Sequence, residues 1–529
     1  MITIEHEYPY FVLQFPYNTD DLRAVKSLPI REWNKKSKKW KVPQLALHTL
    51  SGLEAQWTDR AKLAGQGIES TLEKLIEYKF NYSTDEEQGH LFPYQVLGSR
   101  YLQAAKKAFL NDDMGLGKTI QSLDAIIRSD PESCLVLCPA TLKRNWERQF
   151  KLHFNIDPVV ISGNAKQRKE QWRSDDTYKI ANYDLLARDW DHIPKKWTAI
   201  VADELVALKN PKAMRTKLAR RLKSDYRIGL SGTAWELDLL EFHSMMSWIR
   251  PEILPSMWHF KKRYCYLDFW GNIKGYHHVE ELHRLTAPFI LRRTKSEVLK
   301  DLPDKIYSDI PLELDSGSEK AYKVIVGEIK ARLDTMWGQP DFDPLVEVLR
   351  LRQFVEFPEL LGLEDYSNPR LDWLQMIYRE VNKMVVFTPF RQSVNLLQEL
   401  FENSYIISGK VPQDERLATV EEFEKQGKAI LISSDAGRFG LDMVSADTVV
   451  HDGYVYNPAT MIQREDRLHR IGQEKSVHVL RPFYINTIDE GIRDILFVRQ
   501  KRQQSFEHGH DAMSRAKLSR DDFRRLMRG

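Results

Sequence analysis

Asp112-Asp-Met-Gly-Leu-Gly-Lys-Thr119 decides how this chain is read. Gly115 and Gly117 let backbone N–H groups wrap phosphate oxygens. Lys118 supplies a cation for the β- and γ-phosphates, and Thr119 supplies a hydroxyl for Mg²⁺. A helix opening near Thr119 would aim its N-terminal N–H groups at the same anion. The general phosphate loop carries glycine six positions before its Lys, and that position here is Asp112. The competing reading is a Gly-rich turn beside an amphipathic helix. Downstream, the apolar run Ala199-Ile-Val-Ala202 ends in Asp203-Glu204. An Asp at such a strand end can hold Mg²⁺, and the neighbouring Glu can polarise an attacking water. Farther on, Gln463-Arg-Glu-Asp-Arg-Leu-His-Arg470 spaces Arg464, Arg467 and Arg470 as one helical face would. Arginines supplied from a second lobe stabilise developing γ-phosphate charge and are worth roughly 10³–10⁵ in rate. Hydrolysis would then be coupled to lobe closure.

Around these segments the chain alternates between strand-like and helix-like stretches. Apolar, β-branched runs recur at Leu135–Cys138, Val159–Ile161, Lys179–Ala181, Ala199–Ala202 and Arg227–Leu230. A second series covers Met384–Thr388, Tyr405–Ser408, Ala429–Ser433, Thr448–His451 and Val477–Arg481. This alternation argues for βαβ units and parallel sheets. Between the series, Pro303 to Pro369 has helical periodicity, as in Glu319–Met336 and Pro344–Phe357. The expected fold class is α/β: two parallel-sheet lobes, a helical insert and a small N-terminal α+β domain. The expected divisions are 1–60 for that domain, 61–90 for a linker, 91–302 for lobe one, 303–369 for the insert, 370–498 for lobe two and 499–529 for a basic tail.

A chain of 529 residues suggests about three to four domains. Its 42% hydrophobic and 29% charged residues are ordinary for a globular protein. The apolar runs are strand-sized, short of the roughly 20 residues needed to span a membrane. No basic segment followed by an apolar one opens the chain, so no secretory signal is read. Three cysteines argue against a disulfide framework and fit a reducing compartment. The net charge of +3 announces no partner, but its distribution does. Arg31 to Pro43 holds six basic residues and one acid, with Trp33 and Trp40 among them, and Arg499 to Gly529 holds nine basic residues and four acids. Aromatic faces stack bases while lysines neutralise phosphates, so these ends point to nucleic acid. Cys134 and Cys138 are expected to pack inside a strand, His277-His278 and His508-Gly-His510 lack zinc spacing, and most of the 13 tryptophans are expected to pack in cores or on lobe surfaces.

The ordered motifs resemble the Swi/Snf-type ATPases of helicase superfamily two, which are DNA translocases. The resemblance runs from Phe92 to Arg493 and implies that the two parallel-sheet lobes are RecA-like. Pro93-Tyr-Gln95 with Gly98 looks like an adenine-reading Q motif, and Asp113-Met-Gly-Leu-Gly-Lys-Thr119 resembles motif I. Leu137-Cys-Pro-Ala-Thr-Leu142 with Asn145-Trp146 resembles motif Ia, and Leu208-Lys-Asn-Pro211 follows motif II as in the family. Leu230-Ser-Gly-Thr233 is similar to motif III, and Leu291-Arg-Arg-Thr-Lys295 with Val298 and Leu302-Pro303 is a family signature. Ala436-Gly437, Gly440-Leu441 and Asp452 through Asn457-Pro458 resemble motif V and its sequel, and Gln463 to Gln473 resembles motif VI. Four positions depart from the family: Val206 replaces a His, Ala234 a Pro, Arg438 a Gly and Asp442 an Asn.

The resemblance implies ATP and Mg²⁺ as cofactors. Lys118, Asp203, Glu204, Arg467 and Arg470 would be catalytic. Gln95, Met114, Gly115, Leu116, Gly117, Lys118, Thr119, Gly440 and Asp442 would hold nucleotide, with Thr119 and Asp203 on the metal. DNA would meet Thr141, Asn145, Lys209, Ser434 and Arg438. Leu28-Pro-Ile-Arg31, Trp33, Lys39-Trp40 and Val42-Pro43 resemble the HARP module of annealing helicases, adding Trp33, Lys39 and Trp40. The implied activity is a monomeric DNA-dependent ATPase that translocates and remodels branched DNA by annealing or fork regression. Single-strand-binding or replication proteins are expected partners, and a membrane is not. The expected location is the cytoplasm of a bacterial or phage-infected cell, or the nucleus in a eukaryote. Two alternatives stand beside it: an ATP-binding DNA scaffold that has lost hydrolysis, and an RNA helicase or RNA-polymerase recycling ATPase of the same superfamily.

Overall fold

The structure is a computed structural model. It describes residues 1–34, 36–80, 91–232, 238–336, 339, 343–363, 366–408, 411–434, 442–455, 458–507 and 526. The chain divides into two units, broadly the first 298 residues and those from 299 to 502.

The first unit opens with a five-stranded mixed sheet in the order Glu32–Asn34, Lys39–Pro43, Tyr10–Gln14, Ile2–Glu7, Ala55–Trp57. Helix Thr19–Ser27 covers it, started by Asn18 accepting from the Asp20 N–H at 2.8 Å. Residues 61–80, expected as linker, are helical within Asp59–Phe80. Ile68 of this helix joins the N-terminal core, and Leu75 joins the core of the next sheet. An apolar residue each turn or two explains why this segment is an ordered brace.

The next sheet has seven parallel strands: Ile290–Leu291, Lys107–Leu110, Lys223–Leu230, Lys196–Asp203, Cys134–Cys138, Tyr178–Asn182 and Val159–Val160. Its central strands are apolar on both faces because helices cover both. All five strands read in the sequence are present, and Cys134 and Cys138 are buried in theirs. Lys107–Leu110 and Ile290–Leu291 went unread.

The second unit is a six-stranded parallel sheet: Lys305–Leu312, Val477–Tyr484, Thr448–His451, Lys383–Phe387, Ala429–Ser433 and Ser404–Ile407. Residues 305–312, expected within the helical insert, are thus an edge strand. A charged Asp309 and a Pro311 within the segment, both exposed at the sheet edge, mask the strand signal. Helices Ser316–Met336 and Pro344–Glu356 follow, packing Tyr322, Ile329, Leu351 and Phe354 around Ile488 and Ile492. Residues 499–507, expected as tail, continue helix Ile488–Glu507. Among the described residues, no helix is long and apolar enough to cross a membrane.

Candidate functional site

The phosphate loop follows strand Lys107–Leu110, at the carboxyl edge of the first unit's parallel sheet, where α/β folds hold ligands. Gly115 and Gly117 have φ of 88° and 70°, the left-handed region that glycine enters without penalty. A Cβ on Gly117 would lie 2.3 Å from Gln95 Nε2, so a side chain cannot be added there. Helix Lys118–Ile127 starts directly after, and no side chain caps it. Its first N–H groups and its positive dipole end are therefore aimed at the loop.

Lys118 Nζ donates to the carbonyls of Asp112 at 2.7 Å and Asp113 at 3.0 Å. Burial lowers its pKa, while Asp112, Glu204, Asp113 and Asp203 act against that shift. Strand Lys196–Asp203 lies two strands over and brings the acidic pair to the same edge. Asp203 Oδ2 accepts from Trp146 Nε1 at 2.7 Å, and its Oδ1 accepts from the Glu204 N–H at 2.9 Å. Burial raises the Asp203 pKa against those bonds and the Lys118 charge. Glu204 takes φ 49°, a left-handed conformation that turns the chain at the strand end. Glycine-built cradle, open helix terminus, Lys118 and hard oxygen donors at Thr119 and Asp203 fit a nucleotide phosphate with Mg²⁺.

Gln95 is 4% exposed and serves the loop itself. Its Nε2 donates to the Leu116 carbonyl at 3.3 Å, and its Oε1 accepts from the Phe92 N–H at 3.0 Å. The Leu116 side chain is buried, and its carbonyl also accepts from Gln121 Nε2 at 2.9 Å. Met114 lies beside Gly232, at the end of strand Lys223–Leu230.

Sequence reasoning missed what holds this loop. Asp112 and Arg293 are both fully buried. Arg293 Nε donates to Asp112 Oδ1 at 3.1 Å, and its Nη2 donates to Asp112 Oδ2 at 2.5 Å and Gln121 Oε1 at 2.6 Å. Asp112 departs from the general phosphate loop to make this bidentate pair. The signal was present in Leu291-Arg-Arg-Thr-Lys295, recognised as a signature without a role. Val206, where the family has His, lies in the turn Leu205–Leu208 and packs on the lobe core.

Thr141 and Asn145 follow strand Cys134–Cys138 at the same carboxyl edge. Lys209 Nζ pairs with Glu241 Oε1 at 3.2 Å. In the N-terminal sheet Trp33 and Trp40 are cross-strand partners with ring centroids 5.1 Å apart, and Trp33 is 42% exposed. Trp40 is half-buried against the core, and Lys39 pairs with Glu7 at 3.3 Å and Glu5 at 3.6 Å.

In the second unit, helix Pro458–Glu465 ends before Arg467 and Arg470. The single helical face expected for the three arginines is therefore corrected. Arg464 stays on the helix, with its guanidinium 5.2 Å from the Phe387 ring centroid. Glu465, at the end of that helix, is tied down from several sides. It accepts from Tyr307 Oη at 2.9 Å, pairs with Lys305 at 3.1 Å and meets His451 at 3.3 Å. Arg470 pairs with Asp442, and its Nε donates to the Asp466 carbonyl at 2.9 Å. Arg467 is buried in the same turn, and its carbonyl accepts from the Met443 N–H at 2.9 Å. Ser434 is buried after strand Ala429–Ser433. Thr233, Ala234, Arg438 and Gly440 lie outside the described residues.

Residues 79–360 match the SNF2-related domain family, and residues 370–472 match the helicase conserved C-terminal domain. An uncharacterized ATP-dependent helicase of Mycoplasma genitalium is 29% identical over 84% of this chain and 45% of that protein. The ISWI chromatin-remodeling complex ATPase of Saccharomyces cerevisiae is 26% identical over 79% of this chain and 40% of that protein. This chain thus spans less than half of either relative. Among solved structures, the Sulfolobus solfataricus SWI2/SNF2 ATPase core in complex with dsDNA is 26% identical, with 85% of this chain and 99% of that chain covered at a TM-score of 0.41. With the first family match alone spanning more than half of its residues, the chain belongs to the SNF2-related domain family.

Proposed function

We propose that the chain is a DNA-dependent ATPase that translocates on DNA and remodels branched DNA. The observation that carries the nucleotide half is the uncapped start of helix Lys118–Ile127, set behind Gly115 and Gly117 with Asp203-Glu204 at the same sheet edge. The N–H groups of the loop and Lys118 bind the β- and γ-phosphates. Thr119 and Asp203 would hold Mg²⁺, which would supply charge neutralisation on the phosphate oxygens. Glu204 orients the attacking water and accepts its proton. Arg467 and Arg470 are assigned to the γ-phosphate charge by family resemblance. The named ATP-dependent helicase and remodeling ATPase relatives support this reading.

The DNA half rests on the family and on the basic N-terminal sheet with its exposed Trp33. Backbone contacts would dominate, so binding should be structural and salt-sensitive. The location proposed is the cytoplasm of a bacterial or phage-infected cell, with single-strand-binding or replication proteins as partners. Val206 favours a second reading, a DNA-binding scaffold that has lost hydrolysis, because an apolar packed side chain stands where a coupling His is expected. ATP hydrolysis measured with single-stranded DNA, duplex, forked DNA and RNA separates the readings. Strongest stimulation by forked DNA, with fork regression in a gel assay, is the expected result. Nucleotide binding without DNA-stimulated phosphate release would favour the scaffold, and stimulation by RNA alone would favour the RNA helicase. Trp33→Ala should weaken fork binding more than linear-duplex binding; equal loss on both would remove the HARP assignment.

A further inference from the structure

Five large apolar side chains stand exposed between Trp258 and Trp270 of the first unit: Trp258, Tyr266, Leu267, Phe269 and Trp270. Single exposed apolar residues are ordinary, but a run of this density marks a contact surface. Phe269 is 94% exposed and Trp270 82%. They occupy the tip of a hairpin formed by Cys265–Leu267 and Ile273–Tyr276.

The hairpin is held firmly at both ends, so the exposure is built in. At its base Phe260, Tyr264, Cys265 and Tyr276 are buried in the lobe core, and Tyr264 Oη donates to Glu281 at 2.9 Å. At its tip Asp268 Oδ1 accepts from the N–H groups of Trp270 at 3.0 Å and Asn272 at 2.8 Å. Gly271 completes the turn at φ 79°. The rings of Phe269 and Trp270 stand edge to face at 5.3 Å.

The charges around the rings choose the occupant. Met257 to His278 contains Lys261, Lys262, Arg263 and Lys274 against one acid, Asp268, although Arg263 is neutralised by its pair with Glu281. Asp268 spends its oxygens on the turn, and Lys274 lies 3.6 Å away, so little negative charge faces outward. Lys262 Nζ sits 5.5 Å from the Trp258 ring centroid. Arg31 of the basic N-terminal segment lies near enough for repulsion by Arg263 to help lower its pKa, after burial. Exposed rings flanked by lysines suit bases flanked by phosphates. A protein-docking patch would instead be depleted of lysine at its core.

The geometry points to the Cys265–Tyr276 hairpin as a base-stacking site for single-stranded DNA, the form of DNA exposed at a branch. The inference rests on the DNA-remodelling reading above and names the part of the chain that would meet unpaired bases. Phe269 and Trp270 stack on bases while Lys261 and Lys262 face the backbone.

The test is a fluorescence-anisotropy titration with the full chain at one salt concentration. The probes are a labelled oligo-dT, a fork with single-stranded arms, and a blunt duplex. The double variant Phe269→Ala/Trp270→Ala should lose about ten-fold affinity per ring on oligo-dT and the fork. Blunt-duplex affinity should change by less than about two-fold. The conservative pair Phe269→Tyr/Trp270→Phe keeps both rings and should keep single-strand affinity. Unchanged oligo-dT binding in the alanine pair, an equal loss on blunt duplex, or loss in the conservative pair would each overturn the assignment. A wild-type chain that binds none of the three probes would overturn both this inference and the DNA-remodelling reading. Wild-type fork binding with an unaffected alanine pair would overturn only the hairpin assignment.

Discussion

Asp112 stands where a general phosphate loop carries glycine, and its carboxylate is buried against the Arg293 guanidinium. Removing one partner of a buried pair leaves the other charge uncompensated, a cost of about 3–5 kcal/mol. Asp112→Asn should therefore lower the melting temperature and weaken nucleotide binding together. Asp112→Leu with Arg293→Met removes both charges and should regain stability without regaining nucleotide affinity, measured by thermal melting and nucleotide titration. Recovery of both would reduce the pair to a packing role. Glu465 offers a test by pH. Burial pushes its pKa up, but His451 and Lys305 outweigh burial and bring it from 4.5 to about 2. The ionised form is thus favoured by folding, so the stabilisation is complete above pH 4.5 and is lost as pH falls through about 2. Glu465→Gln should be less stable at neutral pH by up to about 3 kcal/mol. In denaturant titrations across pH, the gap to wild type should close as pH drops below 4.5. A gap that does not change with pH would contradict the assignment.

At the scale of elements, much of the nucleotide edge was legible because its chemistry is local. A glycine-lysine loop, a helix start and an acidic strand end are each short segments. Bonds between distant segments were not legible. Asp112 and Arg293 carry no sequence pattern that says they touch, and Lys305–Leu312 hides as a strand because it pairs along one edge only. The contacts of Glu465 at the end of helix Pro458–Glu465 with Lys305, Tyr307 and His451 on other strands were likewise not legible. Most described tryptophans pack as expected, but Trp270 is largely exposed because the hairpin tip lifts it off the core, and Trp258 is exposed on the preceding helix Met257–Tyr264. Gly98, in helix Pro93–Ala105, shows how packing reverses a local rule. Alanine in a helix interior is normally better than glycine by roughly 1 kcal/mol. A Cβ here would fall 1.9 Å from Gln121 Oε1 and 2.8 Å from Arg293 Nη2. Gln121 cannot swing away cheaply, because it also bonds Asp112 and Leu116. Gly98→Ala should therefore destabilise the protein and weaken nucleotide binding; a higher melting temperature with unchanged binding would contradict this packing account.

For the whole molecule, the net charge of +3 says little, and its distribution says more. Cations collect on the N-terminal sheet and beside the aromatic hairpin, while buried acids hold internal arginines and lysines in both units. DNA affinity should accordingly fall steeply with salt despite the near-neutral total. An affinity that does not change across a salt series would contradict phosphate-backbone binding. The central claim is that the edge formed by Lys118, Asp203 and Glu204 hydrolyses ATP in response to DNA. Steady-state phosphate release, with and without forked DNA, tests it most directly in the wild type, Lys118→Ala and Glu204→Gln. The account predicts DNA-stimulated turnover in the wild type, no turnover in either variant, and retained nucleotide binding in Glu204→Gln. Turnover that persists in Lys118→Ala or Glu204→Gln, or a wild type that DNA does not stimulate, would contradict it.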